Sequence, residues 1–243
     1  MFPLKDTVPS HSPPLMTWAL LLVNAGVFFL ELQLSDAQLE QLFYLFGLVP
    51  ARYSHPEWAQ RIGLPVDDYW PFLTCMFLHG GWFHLIGNMW TLWIFGDNVE
   101  DRMGPVRFLV FYLLCGIAAG LVHYFTNLYS PVPTVGASGA IAGVMGAYFL
   151  LYPTARIVML MPIFFYPLFF EIPAVLFLGF WFFGQVLSGF VSAVGPVVQV
   201  GGIAVWAHVG GFVAGAVLCR VFVRQERPLQ TDEYGLEGAF MRG

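Results

Sequence analysis

The stretch "GASGAIAGVMG", residues 136–146, carries the main clue to the architecture of this chain. It holds one hydroxyl, that of Ser138, in a run of glycine, alanine and apolar residues. Gly139, Gly143 and Gly146 recur at positions i, i+4 and i+7, which lie on one side of a helix. Small residues at this spacing allow two helices in a membrane to pack with their backbones in close contact. The stretch therefore predicts a closely packed membrane helix that begins near a serine.

The composition of the whole chain is typical of a membrane protein. Of its 243 residues, 58% are hydrophobic and only 10% are charged, whereas a soluble domain carries about a quarter charged residues. The net charge of -5 includes no basic stripe, which argues against nucleic acid as a partner. Cys75, Cys115 and Cys219 have neither the spacing of metal ligands nor that of a disulfide framework, and no cofactor is expected.

The apolar segments predict an all-α membrane protein with six transmembrane helices. Five of them come close to the roughly 20 residues that cross a hydrocarbon core. The remaining apolar region is too long for one span, and prolines interrupt its first half, so residues 156–171 are expected to form a loop or an interfacial segment. The predicted spans are residues 16–33, 83–99, 106–125, 137–152, 172–192 and 203–223.

The basic residues orient these spans. With six spans, both termini share one side of the membrane with the loops after spans 2 and 4, and eight of the ten Lys and Arg residues fall on that side. This asymmetry predicts a multi-pass protein of the bacterial cell (inner or plasma) membrane with both termini cytoplasmic. The expected organisation is a short cytoplasmic segment (1–15), a six-span domain (16–223) with a long outer loop (34–82), and a cytoplasmic tail (224–243). Within the outer loop, "DAQLEQLFYLFGL" fits a short amphipathic helix.

Four polar residues fall in the spans at almost one depth. His84 and Asn88 lie in span 2, Ser138 in span 4 and His208 in span 6, and these spans all run from the outer to the inner face. At a rise of 1.5 Å per residue, the serine and both histidines lie roughly 22–24 Å above the inner boundary. In a hydrocarbon core of about 30 Å, this layer is several ångströms below the outer surface. Polar side chains inside a membrane are candidates for function.

Packing of span 4 against span 6 would join two of these residues. Gly211 and Gly215 follow His208 at i+3 and i+7, so span 6 also presents a glycine face. Contact between the two faces would bring the Ser138 hydroxyl within hydrogen-bonding reach of the His208 imidazole, which is the arrangement that activates a serine nucleophile. No Asp or Glu lies at this depth in the spans, so a Ser–His dyad is favoured over a triad. Ordinary helix packing is the alternative interpretation of the glycines.

His84 and Asn88 are candidates for stabilising a developing oxyanion. Their i, i+4 spacing puts both on one face of span 2, and both side chains can donate hydrogen bonds. The backbone N–H of Ser138 lies at the positive end of a helix dipole. Together these three donors would surround a negatively charged oxygen.

Three segments, in this order along the chain, resemble the rhomboid family of intramembrane serine proteases. They are "FLHGGWFHLIGNMWTLWIFGDNVEDRMG" (77–104), "GASGAIAGVMG" (136–146) and "AHVGGFVAG" (207–215). The resemblance covers nearly the whole six-span region. It implies a rhomboid-like fold of six membrane helices. It also implies that the protein cleaves the transmembrane segments of other proteins with a Ser–His dyad.

The resemblance also implies roles for individual residues. Ser138 matches the nucleophile of the family's G-x-S-G motif, and His208 matches the general base of its A-H-x-x-G motif. His84 and Asn88 match the H-x-x-x-N pair assigned to the oxyanion site. The residues that match structural positions near the site are Gly136, Gly139, Gly211, Gly215, Glu100 and Arg102.

This chain departs from the family at one position, and one further match has two interpretations. Some members have a tyrosine one turn after the serine that stacks on the histidine, but this chain has Ala142 there, and what orients His208 is left open. Aromatic residues of span 5 match the family's proposed lateral gate for substrates, although they would equally suit a lipid-facing surface. These residues are Phe177, Phe180, Trp181 and Phe182.

The prediction is an intramembrane serine endopeptidase whose partners are single-span membrane proteins and the lipid bilayer. Two other classes of protein are compatible with a polar layer in a helical bundle. A non-catalytic rhomboid-like protein that binds and escorts membrane proteins usually lacks the serine or the histidine, and this chain has both. A small transporter or channel is disfavoured, because the spans hold neither a carboxylate at this depth nor an inverted repeat.

Overall fold

A computed structural model describes residues 1–163, 166–194 and 204–224 of the chain. Within these ranges the protein is mostly helical, with one small sheet. The α-helices are α1 (Leu15–Glu31), α2 (Asp36–Phe46), α3 (Pro50–Ser54), α4 (Pro56–Arg61), α5 (Pro71–Thr74), α6 (Trp82–Met103), α7 (Pro105–Thr126), α8 (Ser138–Leu151), α9 (Ala174–Val194) and α10 (Val205–Phe222). The strands are β1 (Phe2–Asp6), β2 (Arg156–Ile163) and β3 (Tyr166–Pro173). Residue 203 of the last predicted span and residues 225–243 of the predicted tail lie outside the described residues.

Six helices, α1 and α6 to α10, lie where the sequence predicts membrane spans, and their ends differ from the predicted ones by a few residues. In the part of the chain that the structure describes, three of them are long and apolar enough to cross a membrane. These are α7, α10 and, over Ala174–Ser192, α9. Helices α1 and α8 are apolar but shorter, with 17 and 14 residues. Helix α6 has 22 residues, but polar side chains and a charged C-terminal end lower its hydropathy.

The prediction of an all-α protein is wrong in one region, where a three-stranded antiparallel sheet forms in the order β1–β2–β3. Strands β2 and β3 pair as a hairpin over the segment that was expected to be a loop or an interfacial segment (156–171). Strand β1 comes from the N-terminal segment and pairs with β2, so that Phe2 lies opposite Leu160. The sheet thus joins two parts of the chain that are far apart in sequence.

The residues of the hairpin explain why it forms instead of a helix. Pro162 and Pro167, which interrupt a helix, lie opposite each other close to the turn, where a strand tolerates proline. Ile157 and Met159 are buried whereas Val158 between them is less so, which is the two-residue alternation of a strand. Residues 157–161 are all apolar, so the sequence itself does not show this alternation, and the prolines favoured a loop.

Helix α8 lies at the centre of the helical bundle. Its residues from Gly139 to Tyr148 are all buried, and it packs against α6, α7 and α10. A Cβ atom on Gly211 of α10 would overlap the carbonyl oxygen of Gly139, and a Cβ atom on Gly215 would overlap that of Gly143. The backbones of α8 and α10 are therefore in direct contact, and no larger residue fits at these crossing points.

The loop between α1 and α6 is ordered around a buried arginine. The side chain of Arg52, on α3, is fully buried, and its guanidinium donates to the carbonyl oxygens of Leu45 (3.1 Å) and Pro65 and to the carboxylate of Asp68 (3.2 Å). The predicted helix in this loop is confirmed as α2. From the sequence, Arg52 was only one of two basic residues expected on the outer side, and its burial was not predictable because it depends on how the loop folds.

Candidate active site

Ser138 and His208 lie in contact where α8 and α10 cross. Ser138 is the first residue of α8, and His208 lies in the first turns of α10. The Oγ atom of Ser138 is 2.7 Å from Nε2 of His208, which is the distance of a good hydrogen bond. The contact between Gly139 and Gly211 lies directly beside this pair, so the glycine packing of the two helices sets the separation of hydroxyl and imidazole.

The second nitrogen of the His208 ring contacts α9. Nδ1 of His208 is 2.8 Å from Oε1 of Gln185. The ring of Trp181, one turn earlier on α9, lies against the imidazole with a centroid separation of 5.8 Å and an interplanar angle of 35°. Ala142, at the position where some rhomboids have a tyrosine, is fully buried in α8. The aromatic neighbour of His208 therefore comes from α9 and not from α8.

Sequence reasoning missed Gln185. The available signal was weak, since Gln185 is a single amide in the otherwise mostly apolar α9, "AVLFLGFWFFGQVLSGFVSAV". Its spacing of i, i+4 from Trp181 puts both side chains on one face of the helix. That this face meets His208 depends on the rotation of α9 about its axis, which the sequence does not give.

His84 and Asn88, on α6, line the same cavity as Ser138 and His208. They lie against Gly136, which has a φ of +126° in the turn before α8. A Cβ atom at this position would be 2.6 Å from Nε2 of His84 and 3.6 Å from Nδ2 of Asn88. Glycine is required here both by its backbone conformation and by the lack of space.

The amide nitrogen of Asn88 is a free donor at the site. Among the described residues, Asn88 Nδ2 is buried and has no hydrogen-bond partner. A buried donor left unpaired costs about 1–3 kcal/mol of free energy, so its presence calls for a physical explanation. The N-terminal turn of α8, which starts at Ser138, adds backbone N–H groups and a partial positive charge. An oxygen anion in this cavity would meet these donors.

The cavity that holds these residues has a volume of about 660 Å³. Its wall is mostly apolar and includes Phe83 and Phe95 of α6 and Phe177 and Trp181 of α9. A mostly apolar cavity of this size with a few convergent polar groups is typical of a site that binds a substrate.

The N-terminal strand forms part of the cavity wall. Pro3 of β1 lines the cavity, and its carbonyl oxygen accepts a hydrogen bond of 2.6 Å from Nε1 of Trp90 on α6. Farther along, the side chain of Asn98 donates to the carbonyl of Val8 (3.0 Å), and Tyr148 of α8 donates to the carboxylate of Asp6. No contact between this segment and the site was expected from the sequence.

The aromatic residues of α9 divide between two environments. Phe177 and Trp181 face the cavity, and Phe182 stacks on Phe212 of α10 with a centroid separation of 4.6 Å. Phe180 points outward and is 73% exposed. The aromatic residues of α9 therefore do not share one environment, and their role as a gate for substrates stays a prediction.

Glu100 and Arg102 do not line the cavity. They lie at the C-terminal end of α6, where the Glu100 carboxylate accepts hydrogen bonds from the first turn of α1. The carbonyl of Arg102 accepts a hydrogen bond of 2.9 Å from the N–H of Arg224, just after α10. Both residues thus connect α6 to other helices.

Comparison with known proteins gives the chain its family. The Rhomboid domain matches residues 66–225. Rhomboid protease GluP of Bacillus subtilis is 44% identical over 85 residues, which are 35% of this chain and 16% of that protein. RHOMBOID-like protein 5 of Arabidopsis thaliana is 37% identical over 80 residues, which are 33% of this chain and 26% of that protein. Putative rhomboid protease YdcA of Bacillus subtilis is 32% identical over 118 residues, which are 46% of this chain and 58% of that protein.

These matches span less than two thirds of each relative's own length. The Rhomboid domain, however, extends over well more than half of this chain and includes α6 to α10, together with both residues of the Ser–His contact. The chain belongs to the rhomboid family.

Proposed function

We propose that this protein is an intramembrane serine endopeptidase in which Ser138 is the nucleophile and His208 the general base. The observation that carries the proposal is the separation of 2.7 Å between Ser138 Oγ and His208 Nε2, inside a largely apolar cavity of the helical bundle. The names of two relatives, Rhomboid protease GluP and Putative rhomboid protease YdcA, agree with this assignment.

The proposed reaction is acyl transfer through a serine ester. Ser138 Oγ attacks the carbonyl carbon of the scissile peptide bond while its proton moves to His208 Nε2. As the tetrahedral intermediate collapses, the imidazolium gives this proton to the nitrogen of the leaving peptide, and the acyl group stays on the serine. His208 then takes a proton from a water molecule while the oxygen of that water attacks the ester carbonyl. As the second tetrahedral intermediate collapses, the imidazolium returns this proton to Ser138 Oγ, and the second product leaves with its new carboxyl group.

The proposed oxyanion site is formed by Asn88, His84 and the backbone N–H of Ser138. Asn88 Nδ2 is buried and unpaired among the described residues, and a negative oxygen in the cavity would satisfy it. Donors that are already oriented toward the developing charge lower the barrier because they need little reorganisation during the reaction. The positive end of α8 acts in the same direction.

We infer six membrane spans, formed by α1 and α6 to α10, with both termini cytoplasmic and the active site near the outer face of the bacterial cell membrane. The distribution of basic residues supports this orientation. It keeps the organisation expected from the sequence, with segment 1–15, a six-span domain 16–223 that includes the outer loop 34–82, and the tail 224–243. The substrates would be single-span membrane proteins that reach the cavity from the bilayer.

The test is cleavage of a model single-span substrate by the full chain in liposomes. Ser138→Ala and His208→Ala are expected to lower kcat by about 10³-fold or more, because nucleophile and base act as a unit. Ser188→Ala is the matched control, since Ser188 is an exposed serine on α9, and it should cleave like the wild type. A serine-directed phosphonate should label the wild type and Ser188→Ala but not Ser138→Ala.

Two results would contradict the proposal. Full activity of Ser138→Ala or His208→Ala would exclude the dyad. A wild-type protein that neither cleaves the substrate nor reacts with the phosphonate, yet binds the single-span substrate, would favour the non-catalytic binding or escort role.

A further inference from the structure

We propose that Gln185 and Trp181 of α9 are positioning residues that hold His208 in the tautomer and ring orientation that a general base requires. The proposal rests on the function inferred above for Ser138 and His208. It starts from two contacts of the imidazole ring, the hydrogen bond of 2.8 Å to Gln185 and the ring contact at 5.8 Å with Trp181.

The hydrogen bond to Gln185 selects the tautomer. A neutral imidazole carries one N–H, and the other nitrogen is an acceptor. Oε1 of Gln185 is a carbonyl oxygen that only accepts, so it pairs with an N–H at Nδ1 of His208. Nε2 then has a free lone pair, and it is this atom that lies 2.7 Å from Ser138 Oγ. In the other tautomer, Nε2 would already carry a proton and could not accept that of the serine.

The same bond persists after proton transfer. The imidazolium donates from both nitrogens, so Nδ1–H continues to donate to the Gln185 oxygen while Nε2–H faces the leaving group. In Ser–His–Asp enzymes a carboxylate has this position and keeps the imidazole in its tautomer and orientation. An amide performs the orienting part of that role without a second charge in the membrane, where a buried carboxylate is costly.

Trp181 restricts the plane of the ring. A hydrogen bond at Nδ1 alone leaves the imidazole free to rotate about the line between the two atoms. The indole of Trp181, at an interplanar angle of 35° and within the range of aromatic contacts, limits that rotation. Because the two residues are spaced i, i+4, a single face of α9 supplies both restraints. Ala142 of α8 carries no ring that could do so.

The decisive experiment compares Gln185→Leu with Gln185→Glu, because both keep the approximate size of the side chain but only Glu keeps an acceptor oxygen. In liposomes with a single-span substrate, Gln185→Leu should lower kcat about 10- to 100-fold, less than the whole contribution of general-base catalysis of about 10²–10⁴. Its KM should stay within about twofold of the wild type, since the residue acts through His208. Gln185→Glu should retain kcat within a few-fold.

Trp181 is tested in the same way. Trp181→Phe keeps a ring beside His208 and should retain most of kcat, whereas Trp181→Ala should lower it. The control pair is Phe183→Ala and Leu187→Ala, which alter exposed residues on another face of α9 and should leave kcat unchanged. Thermal unfolding of every variant separates loss of kcat from loss of fold.

If Gln185 had only a packing role, the order of the two kcat values would be reversed. If Gln185→Leu cleaves like the wild type while Gln185→Glu is inactive, Gln185 only fills space and the proposal is overturned. The two proposals fail separately, because Ser138→Ala and His208→Ala report on the dyad itself. Inactive Ser138→Ala together with fully active Gln185→Leu would reject only the positioning role.

Discussion

Thr17 donates both its backbone N–H and its hydroxyl to the carboxylate of Glu100, at 2.7 Å and 2.8 Å. The N–H of Met16 donates to the other carboxylate oxygen at 2.8 Å, and both Thr17 and Glu100 are buried. The first N–H groups of a helix have no partners within the helix, and a negative charge there is favourable. Glu100 therefore fastens the start of α1 to the end of α6, on which His84 and Asn88 lie.

This contact predicts a loss of stability without a direct effect on the chemistry. Glu100→Gln removes the charge and one acceptor and should lower the free energy of unfolding by about 1.5–3 kcal/mol, the range for hydrogen bonds to a charged group. Thermal unfolding in detergent measures the change, and Glu40→Gln on the exposed surface of α2 is the control. An unchanged unfolding temperature for Glu100→Gln would contradict the role as a link between helices.

The crossing of α8 and α10 should be intolerant of a single methyl group. In Gly215→Ala the new Cβ would overlap the Gly143 backbone, so the helices must move apart, at a cost of about 1–3 kcal/mol or more. The same movement should separate Ser138 from His208 and lower kcat. Gly26→Ala in α1 is the control, since nothing lies within 4 Å of its Cβ position, and it should be neutral or slightly stabilising. Wild-type activity and stability in Gly215→Ala would show that the backbone contact is dispensable.

Asn88→Ala tests the proposed oxyanion site. Loss of one oriented donor should lower kcat about 10²- to 10³-fold with a small change in KM, because the bond is made mainly in the transition state. Thr91→Ala is the matched control, since Thr91 lines the same cavity but uses its hydroxyl on the carbonyl of Gly87 within α6. Equal kcat values for the two variants would exclude a role of Asn88 in stabilising the oxyanion.

The attachment of β1 should depend on pH. Burial raises the pKa of Asp6 to about 6; the hydrogen bond from Tyr148 opposes this shift and the charge of Asp97 adds to it. The folded protein therefore binds this proton more tightly than the unfolded chain, in which the pKa of Asp6 is near 3.8. The resulting stability is fully present below about pH 3.8 and is lost as the pH rises through about 6.

Amide hydrogen exchange of Phe2, Leu4, Lys5 and Asp6 measures this effect, since Pro3 has no amide hydrogen. Exchange should become faster, relative to the intrinsic rate, between pH 5 and pH 7, as ionisation of Asp6 weakens the packing of β1 against α8. Asp6→Asn removes the titrating group and should abolish the pH dependence while keeping the strand in place. A pH dependence that persists in Asp6→Asn would assign it to another group.

Much of the helical architecture was predictable because it is encoded locally. The length of the apolar segments located α1 and α6 to α10, and the four-residue spacing of glycines marked the faces of α8 and α10 that meet. The fixed rise of a helix was enough to predict that His84, Ser138 and His208 share one layer. The hairpin was not predictable in this way, because residues 157–161 are all apolar in the sequence and the alternation of buried and half-buried residues exists only in the fold.

The remaining features depend on contacts between distant parts of the chain, and local periodicity does not specify them. Strand β1 has to lie beside β2, which follows α8, before Phe2 can pair with Leu160 and Pro3 can form part of the cavity wall. The burial of Arg52 depends on carbonyl oxygens that the folded loop collects around it. Gln185 is the clearest case. In the sequence it is only an amide in an apolar helix. Only the packing of α9 against α10 brings its oxygen to the Nδ1 atom of His208.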